Sequence, residues 1–226
     1  MIYLFTNRTY GAPFQDAAAR FSSRHGTPVT VVFSGHRRRE RQNGGPVASL
    51  RSLAARWRAG REPAVGGLPQ LTVDDVNAPA FVEAIEPGDI GIIAGFDQIF
   101  AAQTIAGFRS FVNIHPSLLP FYRGPEPAYW CLDNGETITG FTIHTVTTKI
   151  DSGEIHHQES LVVDPLDDLG SLTERIALLA IPAFERWLDH VGEGTPWTKT
   201  CLDAAALYRR HVNYKSFHNA SAGQRK

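Results

Sequence analysis

Between residues 113 and 153 the chain carries an amide, two imidazoles and a carboxylate, the groups that transfer of a one-carbon acyl unit would need. The run Asn113-Ile-His115-Pro-Ser117-Leu118-Leu119-Pro120-Phe-Tyr-Arg123-Gly-Pro is followed by Gly140-Phe-Thr-Ile-His144 and by Lys149-Ile150-Asp151-Ser-Gly153. Asn113 and His115 stand two residues apart in an apolar stretch, 111–114, so in a strand both side chains point to one face. Asp151 follows a second β-like run, 139–146, and precedes Ser152-Gly153, where a turn lets a loop fold back over the end of the first strand. Attack of an amine on a formyl amide builds negative charge on the carbonyl oxygen, and an amide N–H together with an imidazolium can hold that charge without moving. Asn113 and His115 fit as these donors. A carboxylate beside the imidazole would keep it protonated and relay the amine's proton to the departing nitrogen, which fits Asp151. Taken singly, an Asn or His at a strand end is an ordinary polar cap and Asp-Ser-Gly an ordinary turn. The length of the combined pattern is what argues for a site.

The elements that must position these groups follow a βαβ rhythm. Residues 2–6 read as a short buried strand, 14–24 as an amphipathic helix and 28–34 as a Val-rich strand, one right-handed crossover unit. A Gly/Arg-rich connection runs to about residue 67. Beyond it the pattern predicts a helix near 79–85, a strand over 90–94 and the motif strand 111–114. Residues 169–191 carry Leu172, Ile176, Leu179, Phe184 and Leu188 at helical spacing. The expected fold class is α/β, a mostly parallel sheet flanked by helices. Residues 1–226 are read as one domain, with a core over 1–165 and a helical tail over 166–226.

Composition sets limits on the function. With 226 residues and 42% hydrophobic content the chain can bury a full core. No apolar run approaches 18 residues and no charged-then-apolar leader follows Met1, so neither a membrane span nor a secretory signal is expected and the cytoplasm is the expected location. Cys131 and Cys201 lie far apart without CxxC spacing, against a zinc site or a disulfide framework, and both are expected in or near the core. The first βα turn, Thr6-Asn-Arg-Thr-Tyr-Gly-Ala-Pro, has neither GxGxxG nor GxxxxGK[ST], so no nucleotide cofactor is expected.

The pattern over 113–153 resembles the signature of the 10-formyltetrahydrofolate-dependent formyltransferases, the family of the glycinamide ribonucleotide, methionyl-tRNA and sugar N-formyltransferases. The resemblance implies a Rossmann-like formyltransferase fold, with Asn113, His115 and Asp151 as the catalytic trio and 10-formyltetrahydrofolate as formyl donor. It extends to Ile92-Ile93-Ala-Gly-Phe96-Asp97-Gln98-Ile99-Phe100, similar to the family's strand and loop against which the pterin packs. Ile93 and Phe96 would line that wall, and backbone groups of Asp97, Gln98 and Ile99 would read the ring. Ser117, Leu118, Leu119 and Pro120 with Thr147, Thr148, Lys149 and Ile150 would form the other walls. The family uses these groups without metal, so no metal is expected, although His115, His144 and Asp151 are a zinc-compatible set by residue type. Otherwise His144 could support Asp151 or His115 by a hydrogen bond.

The acceptor is open to narrower reading. The glycinamide ribonucleotide enzymes carry a Gly-Asn-Gly-Ser-Asn-type loop at the first βα turn, absent here, so purine synthesis is not expected. The methionyl-tRNA enzymes continue into a basic barrel, whereas this chain stops at Lys226 and balances 22 Lys and Arg against 23 Asp and Glu, so no tRNA partner is expected. A formyltetrahydrofolate hydrolase usually has an added N-terminal module, which makes hydrolysis a lesser alternative. Eight arginines at 37, 38, 39, 41, 51, 56, 58 and 61 form either a solvated face or an anion-recognising patch, for a nucleotide-linked diphosphate or a carrier protein's phosphopantetheine. Arg123, Glu126 and Tyr129 are acceptor-contact candidates. Arg123 either positions the acceptor or braces its loop, and Tyr129 with Trp130 forms a sugar-stacking wall or core. The expectation is N-formylation of a small amine, a nucleotide-linked amino sugar first. A hydroxyornithine siderophore precursor, a carrier-bound amine, a folate-binding protein without turnover and a metal-dependent hydrolase are the alternatives. A homodimer is compatible with all of them.

Overall fold

The computed structural model describes residues 1–35 and 67–208. The elements, in chain order, are β1 Ile2–Thr6, α1 Ala12–His25, β2 Val29–Ser34, β3 Gln70–Val73, α2 Pro79–Val82, β4 Ile90–Ala94, α3 Ala102–Gly107, β5 Ser110–His115, α4 Pro127–Asp133, β6 Ile138–Thr145, β7 Ile155–Val162, α5 Leu169–Glu193 and α6 Ala204–Leu207. The strands form one mostly parallel seven-stranded sheet of order β3-β2-β1-β4-β5-β6-β7. The expected α/β class is therefore the observed one. By compactness the chain divides into two units, Met1–Val112 with Phe184–Trp197 and Asn113–Ala183 with Thr198–Lys226. The arginine-rich stretch 36–61 lies outside the described residues.

In the first unit, β1 is paired in parallel with β2 on one side and β4 on the other. A strand covered on both faces has no polar side to show, which is why Ile-Tyr-Leu-Phe-Thr is buried throughout. The helix α1 follows from Phe14, Ala17, Ala18 and Phe21, all buried and spaced for one face. Pro13 enters its first turn, and Gly26, at φ 64, ends it by returning its N–H to the Ser22 carbonyl. β3, parallel to β2, is not anticipated by the sequence pattern: Gln-Leu-Thr-Val is four residues long and only Val73 is buried. The helix expected near 79–85 is only four residues, and its chain runs on to Ile85 in tight i→i+3 turns.

In the second unit, β6 and β7 form an antiparallel pair. Thr142 lies opposite Gln158 and Ile143 opposite His157, but His144 lies opposite Ile155. That skip is a β-bulge with His156 as the extra residue, and bulges re-aim the side chains beside them. After the long helix α5, Thr200 forms a parallel bridge to His157. Beyond it Ala204 and Tyr208 are buried with Leu118, Tyr122 and Cys131. Cys131 is in the core as expected; Cys201 is exposed, contrary to the expectation, because its segment runs along the outer edge of β7. Among the described residues no helix is long and apolar enough to cross a membrane.

Candidate active site

β5 carries Asn113 and His115 on one face, as the two-residue pleat requires. Asp151 arrives from the loop after β6 in the left-handed region, at φ 46. The loop can turn there because residue 153 is glycine: a Cβ at Gly153 would stand 1.9 Å from the Thr145 carbonyl oxygen. The Asp151 carboxylate then collects four partners. Asn113 Nδ2 donates to Oδ1 at 3.1 Å, and the Gly124 N–H donates to Oδ2 at 2.7 Å. His144 Nε2 lies 3.4 Å from Oδ1 and His115 Nδ1 lies 3.6 Å from Oδ2.

The far side of each imidazole is already committed. His115 Nε2 stands 2.8 Å from the Tyr122 carbonyl and His144 Nδ1 stands 2.9 Å from the Thr145 carbonyl. A carbonyl only accepts, so each of those nitrogens carries a hydrogen, and each ring turns its other nitrogen on Asp151. Burial alone would raise the Asp151 pKa. Positive charge on His115, the approach of His144 and the Gly124 N–H outweigh it and hold the carboxyl well below the usual range. His115 goes the other way from its expected role. Burial pushes its pKa down, aided by His144 and Arg123, and neither Asp151 nor the Tyr122 carbonyl offsets this. That direction runs against the expectation that the carboxylate keeps this imidazole protonated. With the Nε2 hydrogen held by the Tyr122 carbonyl, Nδ1 is the ring nitrogen that can gain or lose a proton beside Asp151. Asn113 keeps its second amide hydrogen for a developing oxyanion.

The remaining candidates separate. Ser117, Leu118 and Leu119 are at most 2% exposed, so their side chains face inward. Ser117 Oγ donates to the Phe121 and Tyr122 carbonyls, and the Leu119 N–H donates to Thr142 Oγ1. Pro120 is exposed. Thr147, Thr148, Lys149 and Ile150 are exposed, and the Lys149 carbonyl is held by the Thr147 and Ser152 hydroxyls at 2.9 and 2.8 Å. Arg123 is partly buried and its Nε has no hydrogen-bond partner. Glu126 is exposed at φ 55 and caps α4. Tyr129 is 45% exposed, so of the aromatic pair only Trp130 packs toward the core. In the first unit, Ile93 and Phe96 are half-buried, Asp97 and Ile99 exposed. The side chain of Gln98 is consumed there, bonding the Val76 N–H, the Val73 carbonyl and Ser34. The Ile99 carbonyl accepts from Asn77 Nδ2 at 2.8 Å.

Two residues beside Asp151 and His115 escaped the sequence reading. Gly124, at φ 90, gives the shortest bond to the carboxylate. Tyr122, at φ 53, supplies the carbonyl that fixes the His115 tautomer, and its hydroxyl is anchored on buried Glu136. The Arg-Gly dipeptide was a signal for the first; nothing in sequence marks a backbone carbonyl.

Comparison with known proteins is decisive at the level of family. Residues 29–186 match the family model described as formyl transferase. The chain belongs to the formyl transferase family. Over 145 residues it is 35% identical to the methionyl-tRNA formyltransferase of Geobacter metallireducens, covering 63% of this chain but 47% of that protein. The chain thus spans about half the length of the curated relatives it matches. Among solved structures, glycinamide ribonucleotide transformylase 1 from Symbiobacterium toebii superposes with a TM-score of 0.60 at 23% identity, over 85% of this chain and 87% of that one. The N-formyltransferase from Helicobacter canadensis, in complex with folinic acid and dTDP-3-aminofucose, gives 0.62 at 18% identity, over 91% and 68%. These likenesses establish the fold. The donor of this formyl transferase family is 10-formyltetrahydrofolate.

Proposed function

We propose that this formyl transferase moves the formyl group of 10-formyltetrahydrofolate to the primary amine of a small acceptor. The observation that carries the reading is the Asp151 carboxylate, which meets Asn113 and His115 from β5 and the Gly124 N–H from the loop after it. The acceptor nitrogen adds to the formyl carbon, and the carbonyl oxygen, now anionic, takes the second Asn113 amide hydrogen. His115 Nδ1 accepts a proton from the added amine, and the resulting cation faces Asp151, which stabilises it. The C–N10 bond then breaks, the proton passes to N10, and tetrahydrofolate and the N-formyl product leave. Atoms and charge balance without a metal.

A nucleotide-linked amino sugar is the first acceptor class. Support comes from the phosphate loop missing at residues 6–13, the near-neutral charge of −1, and a fold-level likeness to an enzyme solved with dTDP-3-aminofucose. Methionyl-tRNA is the second reading, favoured by the 35% identity to a methionyl-tRNA formyltransferase. One assay separates them: tetrahydrofolate release from 10-formyltetrahydrofolate, with nucleotide-linked amino sugars, free amino sugars, hydroxyornithine-type amines, glycinamide ribonucleotide and methionyl-tRNA offered in turn. Release that depends on one acceptor and vanishes in Asn113→Ala identifies the class. Acceptor-independent release means hydrolysis, and folate binding without release means a binding protein.

A further inference from the structure

Glu136 takes no part in the chemistry above, yet its carboxyl group is buried, the residue being only 6% exposed. It stands where α4 ends. Gly135, at φ 66, returns its N–H to the Leu132 carbonyl and the Glu136 N–H reaches the Cys131 carbonyl, both at 2.9 Å, a helix-ending motif that leaves the Glu136 backbone little freedom. From there Glu136 Oε1 accepts the hydroxyl hydrogen of Tyr122, while Asn134 Nδ2 donates to the same hydroxyl at 3.3 Å. The phenol is thus tied both as donor and as acceptor, and its ring is buried with Leu118, Cys131 and Tyr208.

The other end of Tyr122 is at the active site. Its carbonyl accepts from His115 Nε2 at 2.8 Å and from Ser117 Oγ at 3.3 Å. It does so with Tyr122 in the left-handed region, at φ 53, which a residue with a Cβ enters at a cost. Among the described residues the non-glycine positions with positive φ are Tyr122, Glu126 and Asp151, all in the second unit. Something must offset the cost at Tyr122, and the bonds at the far end of its ring are placed to do so.

We propose that Glu136 is a positioning residue for His115: with Asn134 it holds the Tyr122 hydroxyl, and through that ring it keeps the Tyr122 carbonyl on Nε2, so that Nδ1 is the nitrogen turned toward Asp151. The role is independent of the charge on His115, because Nε2 carries its hydrogen whether or not Nδ1 does. Each link from Glu136 through Tyr122 and His115 to Asp151 lies within the second unit.

The tether is tested without any substrate, by imidazole 15N–1H spectra of the whole chain. The His115 Nε2–H is expected to exchange slowly with water in the parent and in Glu136→Gln, whose amide oxygen still accepts the hydroxyl, and at least about ten-fold faster in Tyr122→Phe. Equal exchange in Tyr122→Phe and the parent overturns the proposal. The effect on rate rests on the formyl-transfer reading. Tyr122→Phe keeps the ring and loses only the hydroxyl; it is expected to lose about ten- to a hundred-fold in kcat per folded molecule, with KM for 10-formyltetrahydrofolate unchanged. Glu136→Gln stays within a few-fold of the parent. A Tyr122→Phe chain that loses stability but keeps the parent kcat, or a Glu136→Gln chain that falls as far as Tyr122→Phe, removes Glu136 from the positioning role. A parent inactive with every acceptor, whose protected Nε2–H is nonetheless lost in Tyr122→Phe, would overturn the formyl-transfer reading and leave the tether standing.

Discussion

Phe5 and Asp151 each sit at the centre of a crowd, and the two crowds differ in kind. Around Phe5 lie the rings of Phe96, Phe100, Phe111, Phe81 and Phe108, with centroids 4.9 to 6.0 Å away, largely edge to face. Around Asp151 lie an amide, a backbone N–H and two imidazoles. The division extends beyond the two centres. Of the buried polar side chains described, Thr6, Gln15, Asp89 and Thr104 lie in the unit of Phe5, against His115, Ser117, Glu136, Thr139, Thr142, His144, His157 and Gln158 in the unit of Asp151. Rings give area and dispersion, insensitive to small displacements. A hydrogen-bonded polar interior holds its members to tenths of an ångström and is costly when any partner is missing. The first arrangement suits a scaffold and the second suits chemistry.

Truncation should therefore act on stability in one region and on rate in the other. Phe5→Ala removes a fully buried ring and is expected to cost about 3–5 kcal/mol of folding free energy, read from urea unfolding, with kcat per folded molecule unchanged. Asn113→Ala is the converse. Loss of the amide oxyanion donor should raise the barrier by about 2.7–4 kcal/mol, a hundred-fold or more in kcat, while stability falls by about 1.5–3 kcal/mol for the charge-assisted bond to Asp151, less than for Phe5→Ala. A large stability loss in Asn113→Ala, or a large rate loss in Phe5→Ala, would break the division.

Acid sharpens the contrast, because the groups that titrate abnormally at the site act in one direction. The folded chain keeps His115 neutral below its ordinary value of 6.5, so as pH falls through 6.5 the unfolded chain binds a proton that the folded chain refuses, and stability declines. Asp151 is depressed below 3.8, so its contribution is complete above that value and is lost as pH falls beneath it. The expected signature is the difference between parent and His115→Asn. Between pH 7 and 5 the parent should lose more stability than the variant, by at most about 1.4 kcal/mol per pH unit, the limit for one proton. Below pH 4 both should fall together. A parent that gains on the variant as pH drops from 7 to 5 would mean that the site holds His115 as a cation.

How much of this was legible in the sequence follows from the same division. Strands such as Ile2–Thr6 and Ile90–Ala94 announce themselves, since a continuous apolar run bounded by turn residues has few other uses. Asn113, His115 and Asp151 were legible by spacing and family likeness, and the structure brings them together. The direction of the His115 shift was not, because the balance between burial and Asp151 depends on how deeply the ring is covered. Tyr122 was illegible for another reason: it acts through a carbonyl that every residue possesses. The Ser117–Leu119 segment read as ligand wall is turned inward because Thr142 and Gln158, across two strands, bind its backbone.

The smallest expected effect concerns the segment beneath the site loop. Gln158 couples the two: its amide nitrogen donates to the Leu119 carbonyl and its oxygen accepts the Leu202 N–H. One residue on, Asp203 caps α6, accepting from the Ala206 N–H at 3.0 Å, and so presents Ala204 and Tyr208 to Leu118 and Tyr122. Asp203→Ala removes that cap and should cost about 1 kcal/mol, a shift of a few degrees in Tm for a chain of this size. Tyr122 lies above this segment and fixes the His115 tautomer, so a loosened α6 has a route to the rate as well. If the Tyr122 hydroxyl, anchored on Glu136, is the stronger tether, kcat stays at the parent value and the segment is scaffold like the rings around Phe5. A drop in kcat of several-fold at unchanged KM would instead place residues 202–208 with the polar half of the molecule, as part of what holds His115 in register.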